Sequence, residues 1–131
     1  MKKWLFLLLI LFFCTFAFAE TTRHDPIQDP KVPYRLYETT NVWTFIKLDT
    51  VTGKMWFIQY DPQGNNRSST VLSDKNLAEN KKEIVGRFTL YPTNNMWNFI
   101  LIDQYDGGTW QVQWAYDKES RFVLPPLLEL L

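Results

Sequence analysis

The chain has 131 residues with 14 basic and 14 acidic side chains, one histidine, one cysteine and 17% aromatic residues. Balanced charge without any Lys/Arg cluster argues against nucleic acid or an anionic membrane surface as partner. A single histidine and a single cysteine exclude a Cys/His zinc site and leave a Ser/His or Cys/His nucleophile without a pre-organised base.

Met1, Lys2 and Lys3 form a basic start, Trp4 to Phe16 is almost wholly apolar, and Ala17-Phe18-Ala19 places small residues at a cleavage site. Residues 1–19 therefore read as a signal peptide, with Glu20 as the mature N-terminus. The apolar run is shorter than the ~20 residues of a spanning helix, so no membrane span is expected after cleavage. The protein is expected to be exported, whether periplasmic, at the cell surface or secreted. Cys14 leaves with the signal, so the mature chain is built without disulfides and depends on packing. Residues 20–33, ETTRHDPIQDPKVP, are proline-rich and polar and read as a flexible leader.

Residues 34–131 read as one β domain made of two repeats, 34–72 and 87–124. The stretch Leu36 to Tyr60, LYETTNVWTFIKLDTVTGKMWFIQY, recurs as Leu90 to Trp114, LYPTNNMWNFILIDQYDGGTWQVQW, without a gap. Identical pairs include Thr39/Thr93, Asn41/Asn95, Trp43/Trp97, Phe45/Phe99, Ile46/Ile100, Asp49/Asp103, Gly53/Gly107, Trp56/Trp110 and Gln59/Gln113. A fixed internal period means one supersecondary unit used twice.

Within each copy the pattern predicts four strands. In the first, Tyr34 to Tyr37 is a short strand and Thr39-Thr40-Asn41 a turn. Val42 to Asp49 is a strand apolar on both faces, as expected in the middle of a sheet or against a second layer. Asp49 to Lys54 is a tight hairpin, with Asp bonding backbone N–H groups two residues on and Gly53 left-handed. Lys54 to Tyr60 returns, and Ser68 to Leu72 is the fourth strand. Asp74 to Lys82, DKNLAENKK, has helical composition, and a turn or two of helix or an irregular connection is expected there. The second copy follows the same plan over Arg87 to Tyr91, Met96 to Asp103, Thr109 to Ala115 and Arg121 to Leu124. The face carrying Trp56, Ile58 and Tyr60, kept as Trp110, Val112 and Trp114, reads as core. The opposite face, Met55/Phe57/Gln59 against Thr109/Gln111/Gln113, drifts to polar and reads as the wetter side. The expected fold is all-β: two four-stranded antiparallel meanders packed with pseudo-twofold symmetry as a β-sandwich or partly closed barrel. Its core is centred on Trp43, Phe45, Trp56, Trp97, Phe99 and Trp110.

The wording YxLYxTxNxWxFxxLDxxxGxxWxxQ, which covers Tyr34 to Tyr60 and Phe88 to Trp114, resembles small secreted Bacteroidetes proteins that carry the same duplicated unit. The resemblance implies the duplicated architecture and no activity. A looser likeness links LDTVTGKMW to the LDxxTGxxxW phrase of propeller-type repeats; two copies cannot close a propeller of four or more blades, so only the hairpin is taken from it.

Chemistry-bearing residues are few. His24 lies in the leader. Asp49 and Asp103 are expected each to organise their own hairpin turn instead of forming a catalytic pair. Asp103, Asp106 and Asp117 lack the spacing of a calcium loop, and Gly107-Gly108 lies in a hairpin, not between a strand and a helix. No catalytic, cofactor or metal site is expected. The leading expectation is a non-enzymatic exported binding or assembly module, with an envelope or extracellular protein as its partner. The alternatives are a carbohydrate-binding protein using exposed aromatics, and a small inhibitor or immunity-type protein. The expected contact surface is Gln59, Gln113, Trp114 and the apolar tail at Leu127, Leu128 and Leu130.

Overall fold

A computed structural model describes residues 29–127; residues 1–28, with the expected signal peptide and His24, and Leu128 and Leu130 lie outside the described residues. Eight strands form two four-stranded antiparallel sheets, each a meander in chain order. The first holds β1 (Tyr34–Glu38), β2 (Thr44–Asp49), β3 (Met55–Gln59) and β4 (Ser68–Ser73). The second holds β5 (Phe88–Pro92), β6 (Asn98–Asp103), β7 (Thr109–Gln113) and β8 (Phe122–Leu124). The fold is all-β, the sheets stack as a sandwich, and they do not close into a barrel. No helix among the described residues is long and apolar enough to cross a membrane.

Four of the identities shared by the two copies, at Thr39, Asn41, Asp49 and Gly53, are turn formers. Asp49 N–H donates to Lys54 O and Gly53 N–H to Asp49 O, both at 2.9 Å, while Asp49 Oδ1 accepts from Val51 N at 2.9 Å. The second copy repeats this with Asp103, Gly107 and Gly108, and Asp103 Oδ1 accepts from Tyr105 N at 3.0 Å. Gly53 and Gly107 stand at φ 78° and 79°, the left-handed region where a Cβ is strained. The T-x-N-x-W phrase is a second kept turn: Asn41 Oδ1 accepts from Trp43 N at 2.9 Å and Asn95 Oδ1 from Trp97 N at 3.0 Å. Thr39 and Thr93 hydroxyls reach the carbonyls of Thr44 and Asn98 at 2.8 and 2.9 Å. Because these side chains bond the backbone locally, the strands begin at Thr44 and Asn98, two residues later than the hydrophobic pattern suggests.

The connection from Asp74 to Arg87 is irregular and forms no helix. Asn76 Oδ1 accepts from Ala78 N, and Asn80 takes a left-handed φ of 62°, which ends any helical turn. The segment straps back over the first hairpin: Leu77 N–H donates to Thr52 O at 2.8 Å, Gly86 N–H to Thr50 Oγ1 at 3.0 Å, and Phe88 N–H to Thr50 O at 2.9 Å. Those bonds set β5 across from β2 and fix how the second sheet lies on the first.

Which faces meet is the main departure from expectation. In the first meander the buried set is Thr44, Ile46 and Leu48 on β2 with Met55 and Phe57 on β3. In the second it is Phe88, Leu90, Phe99, Leu101, Val112 and Trp114. Repeat equivalents are therefore inverted. Ile46 is 0% exposed and Ile100 47%; Trp114 is 0% and Tyr60 44%; Phe88 is 0% and Tyr34 54%. A two-fold axis between the meanders would bury equivalent residues in both copies, so the sheets stack front to back. The expectation that both Trp-first faces share one core is thus corrected. Trp110, Val112 and Trp114 serve the core, whereas Trp56, Ile58 and Tyr60 lie on the far side of the first sheet, and Trp43 is exposed. The reason is local chemistry. Burying the Trp56 face of the first copy would bury Lys47 where the second copy has Leu101. Burying the other face of the second would bury Thr109 and Gln111 where the first has Met55 and Phe57. Each copy turns inward the face whose central strand positions are apolar, Ile46, Leu48, Met55 and Phe57 in the first and Phe99, Leu101 and Val112 in the second. The resulting single cluster draws on both sheets and includes Leu72 and Ala78, with Tyr37, Leu77, Trp97, Trp110 and Val123 packed at its margin.

Candidate functional site

The outward face of the first meander is an aromatic surface that the fold leaves uncovered. β-sheet alternation sets Tyr34 on β1, Phe45 and Lys47 on β2, and Trp56 and Ile58 on β3 to that side, with Trp43 and Tyr60 at its end. Tyr34 and Trp56 meet edge to face at 6.5 Å between ring centroids, and Trp43 packs on Tyr60 at 5.3 Å. Phe45 lies 6.0 Å from Tyr60. Lys47 lays its ammonium over the Trp56 ring at 4.3 Å and near the Tyr34 ring at 5.7 Å, which seats one cation in the middle of the aromatic face. Trp43, Tyr34 and Tyr60, with Val71 beside Trp56 on β4, are all substantially exposed.

Among the described residues, ion pairs gather at the second hairpin. Asp103 is fully buried; its Oδ2 accepts from Arg87 Nε at 2.8 Å and lies 3.4 Å from Lys81 Nζ. Asp106 Oδ2 takes Lys81 Nζ and, at 3.2 Å, Arg87 Nη2. The Lys81 hydrogen bond holds the Asp106 carboxyl well below the ordinary carboxylate range, and the same bond pushes the Lys81 ammonium up. Two cations and two carboxylates neutralise one another, and the cluster fastens the strap to the hairpin. Asp49, the equivalent in the first copy, bonds only its own turn, through Val51 N and Thr52 Oγ1. The two aspartates thus organise separate turns. Arg87 and Lys81 were not singled out from the sequence. The available signal was Asp106 in place of Thr52, a second carboxylate in the turn that requires a counter-charge.

A cleft of about 850 Å³ opens between the β1 end and the turn from Pro92 to Met96. Its Thr39, Thr93 and Asn95 side chains bond the local backbone, and Arg35, Glu38, Thr40 and Asn94 add to its polar lining. Among the described residues no group of three or more His, Cys, Asp or Glu side chains could hold a metal ion.

The residues expected as contact surface are scattered. Trp114 is buried, with its indole N–H donating to Met96 O at 2.8 Å and its ring 4.6 Å from Trp97 and 6.1 Å from Phe57, so it is core and not surface. Gln113 is half-buried and spends its amide on Asn98 and on Ser120 O. Gln59 is half-buried at the end of β3, on the side of Met55 and Phe57, away from the aromatic face. Leu127 is 95% exposed, and Leu128 and Leu130 lie outside the described residues. The aromatic face instead gathers residues that the repeat had marked as core. No protein-family model, curated protein or solved structure matches the chain.

Proposed function

We propose that the chain is a non-catalytic, exported binding and assembly module that engages a protein partner through the outward aromatic face of the first meander. The observation that supports this reading most is the contiguous exposure of Tyr34, Trp43, Tyr60 and Val71 around the half-buried Trp56 and Lys47. Large aromatics held in place by strand pairing lose little side-chain entropy on docking, and a central Lys over a Trp ring supplies one directional polar contact within an apolar field. The absence of catalysis rests on composition, since the only histidine stands in the leader and the only cysteine in the signal segment. Export rests on the basic, apolar and small-residue order of residues 1–19.

The test is site-specific photocrosslinking in the producing cell, with a photoreactive phenylalanine analogue at Tyr34 or Tyr60 and, as control, at the exposed loop residue Asn65. Protein adducts of discrete mass from Tyr34 and Tyr60 but not from Asn65 are expected. Equal crosslinking from all three positions, or none from the aromatic face, contradicts the reading. Binding of the purified protein to a glycan array, lost on Trp43→Ala, would move the site to carbohydrate recognition.

A further inference from the structure

Resting on that reading of the aromatic face, we infer that its partner is a second copy of this chain, and that copies join head to tail into a closed ring of stacked meanders. The argument begins with the front-to-back stacking inside one chain. There, the Trp face of the second meander covers the Ile46 face of the first. Each chain accordingly leaves one face of each kind uncovered: the Trp face of its first meander, and the Ile100 face of its second. The repeat makes these two faces equivalents of the pair already docked, so the internal interface is a template for an external one. An interface between unlike faces repeats without end or closes into a ring.

The side chains of the open Trp face are arranged as those of its covered counterpart. Tyr34 meets Trp56 at 6.5 Å where Phe88 meets Trp110 at 6.0 Å, and both pairs stand edge to face. Trp43 packs on Tyr60 at 5.3 Å where Trp97 packs on Trp114 at 4.6 Å. The face is therefore organised before anything docks on it. On the other side Ile100, Ile102 and Tyr91 stand at the positions of Ile46, Leu48 and Tyr37, the surface that the second meander covers. The polar departures are matched as well. The open Trp face has Lys47 in place of Leu101, and the open Ile100 face has Thr109 and Gln111 in place of Met55 and Phe57. A cation on one surface meets uncharged carbonyl and hydroxyl acceptors on the other. These same substitutions make the external contact wetter than the internal one, so assembly is concentration-dependent while the fold is not. Four-stranded meanders stacked this way close radially at roughly four to eight units, which sets two, three or four chains per ring.

The test is sedimentation of the purified full chain at micromolar concentration, with one variant on each open face. Tyr60→Asp marks the Trp face and Ile100→Asp the opposite one; both residues are exposed, and a melting curve checks that each variant folds, with Tyr60→Lys and Thr109→Lys as a second, milder pair. The expected wild-type species is one discrete mass of two to four chains. Each variant alone is expected to sediment as a monomer. Mixed one to one, the two variants are expected to form a single heterodimer, because one intact face remains on each chain and the two are complementary. Unlimited polymer, an Ile100→Asp protein that still associates, or a mixture that stays monomeric overturns the ring. A wild-type monomer also overturns it; if Tyr34 and Tyr60 still crosslink to another protein in cells, the binding reading stands without self-assembly, and if they crosslink to nothing, both fall.

Discussion

Ile46 and Ile100 are the same residue at the same place in the two copies, yet one is sealed in the core and the other faces water. The same inversion separates Trp114 from Tyr60 and Phe88 from Tyr34. The repeat specifies strands, turns and alternation, which are properties of one copy. Which face becomes the inside is a property of the pair, decided by where Lys47, Thr109 and Gln111 stand. A unit apolar on both faces can be used front to back, and a chain built so keeps two open surfaces where a two-fold pair would keep two alike.

The largest expected contrast is between Trp114 and Tyr60. Trp114→Ala removes a buried ring and an indole hydrogen bond, and should lower unfolding free energy by roughly 3 to 5 kcal/mol in urea titration. Tyr60→Ala, measured as a dilute monomer, should cost about 1 kcal/mol or less, because its ring is half in water already. Comparable losses at the two positions would mean that the first Trp face is covered after all.

Next comes the contrast between the two turn aspartates. Asp103→Asn leaves the buried Arg87 guanidinium without its closest carboxylate and should cost about 3 kcal/mol; the amide still accepts from Tyr105 N, which keeps the loss at the low end for a broken buried pair. Asp49→Asn, with no cation on its carboxylate, should cost about 1 kcal/mol. The ionic turn also gives the protein an acid limb. Asp106 is held below its ordinary value chiefly by Lys81, so its contribution is complete above the unfolded-state value of about 4 and is lost as pH falls through the lower folded value. The urea midpoint should therefore drop below about pH 4 in the wild type, and less steeply in Asp106→Asn. Parallel pH curves for the two proteins would remove Asp106 from the cluster's energetics.

The smallest contrast lies between the glycines. Both Gly53 and Gly107 are left-handed, so Ala at either should cost about 1 kcal/mol from the backbone alone. A Cβ at Gly53 would also stand 3.0 Å from Leu77 Cδ1, while one at Gly107 meets nothing within 4 Å. Thermal denaturation should rank Gly53→Ala below Gly107→Ala; the reverse order would show that Leu77 does not pack on the hairpin.

Much of this fold was legible in the sequence because its signals are local. The Asp-to-Gly spacing of both hairpins and the T-x-N-x-W turns act within six residues, and the strand runs follow from β-branched and aromatic content. The connection after β4 was less legible: the helical composition of DKNLAENKK is overridden by Asn76 and Asn80 and by docking on Thr50 and Thr52. The candidate site was hidden by a sound inference applied to one copy too many. Retained tryptophans do mark a core face, but only one of the two copies has a neighbour there. Lys47 opposite Leu101 was the readable sign, since a sheet position that is Leu in one copy and Lys in the other cannot be equally buried in both.

The claim of inverted faces is tested most directly by making one substitution at identical residues. Ile46→Ala and Ile100→Ala, unfolded in urea at a concentration dilute enough to keep the chain monomeric, differ only in which side of its sheet the isoleucine serves. Front-to-back stacking predicts a loss of roughly 2 to 5 kcal/mol for Ile46→Ala and within about 0.5 kcal/mol of wild type for Ile100→Ala. Equal losses at the two positions would contradict it.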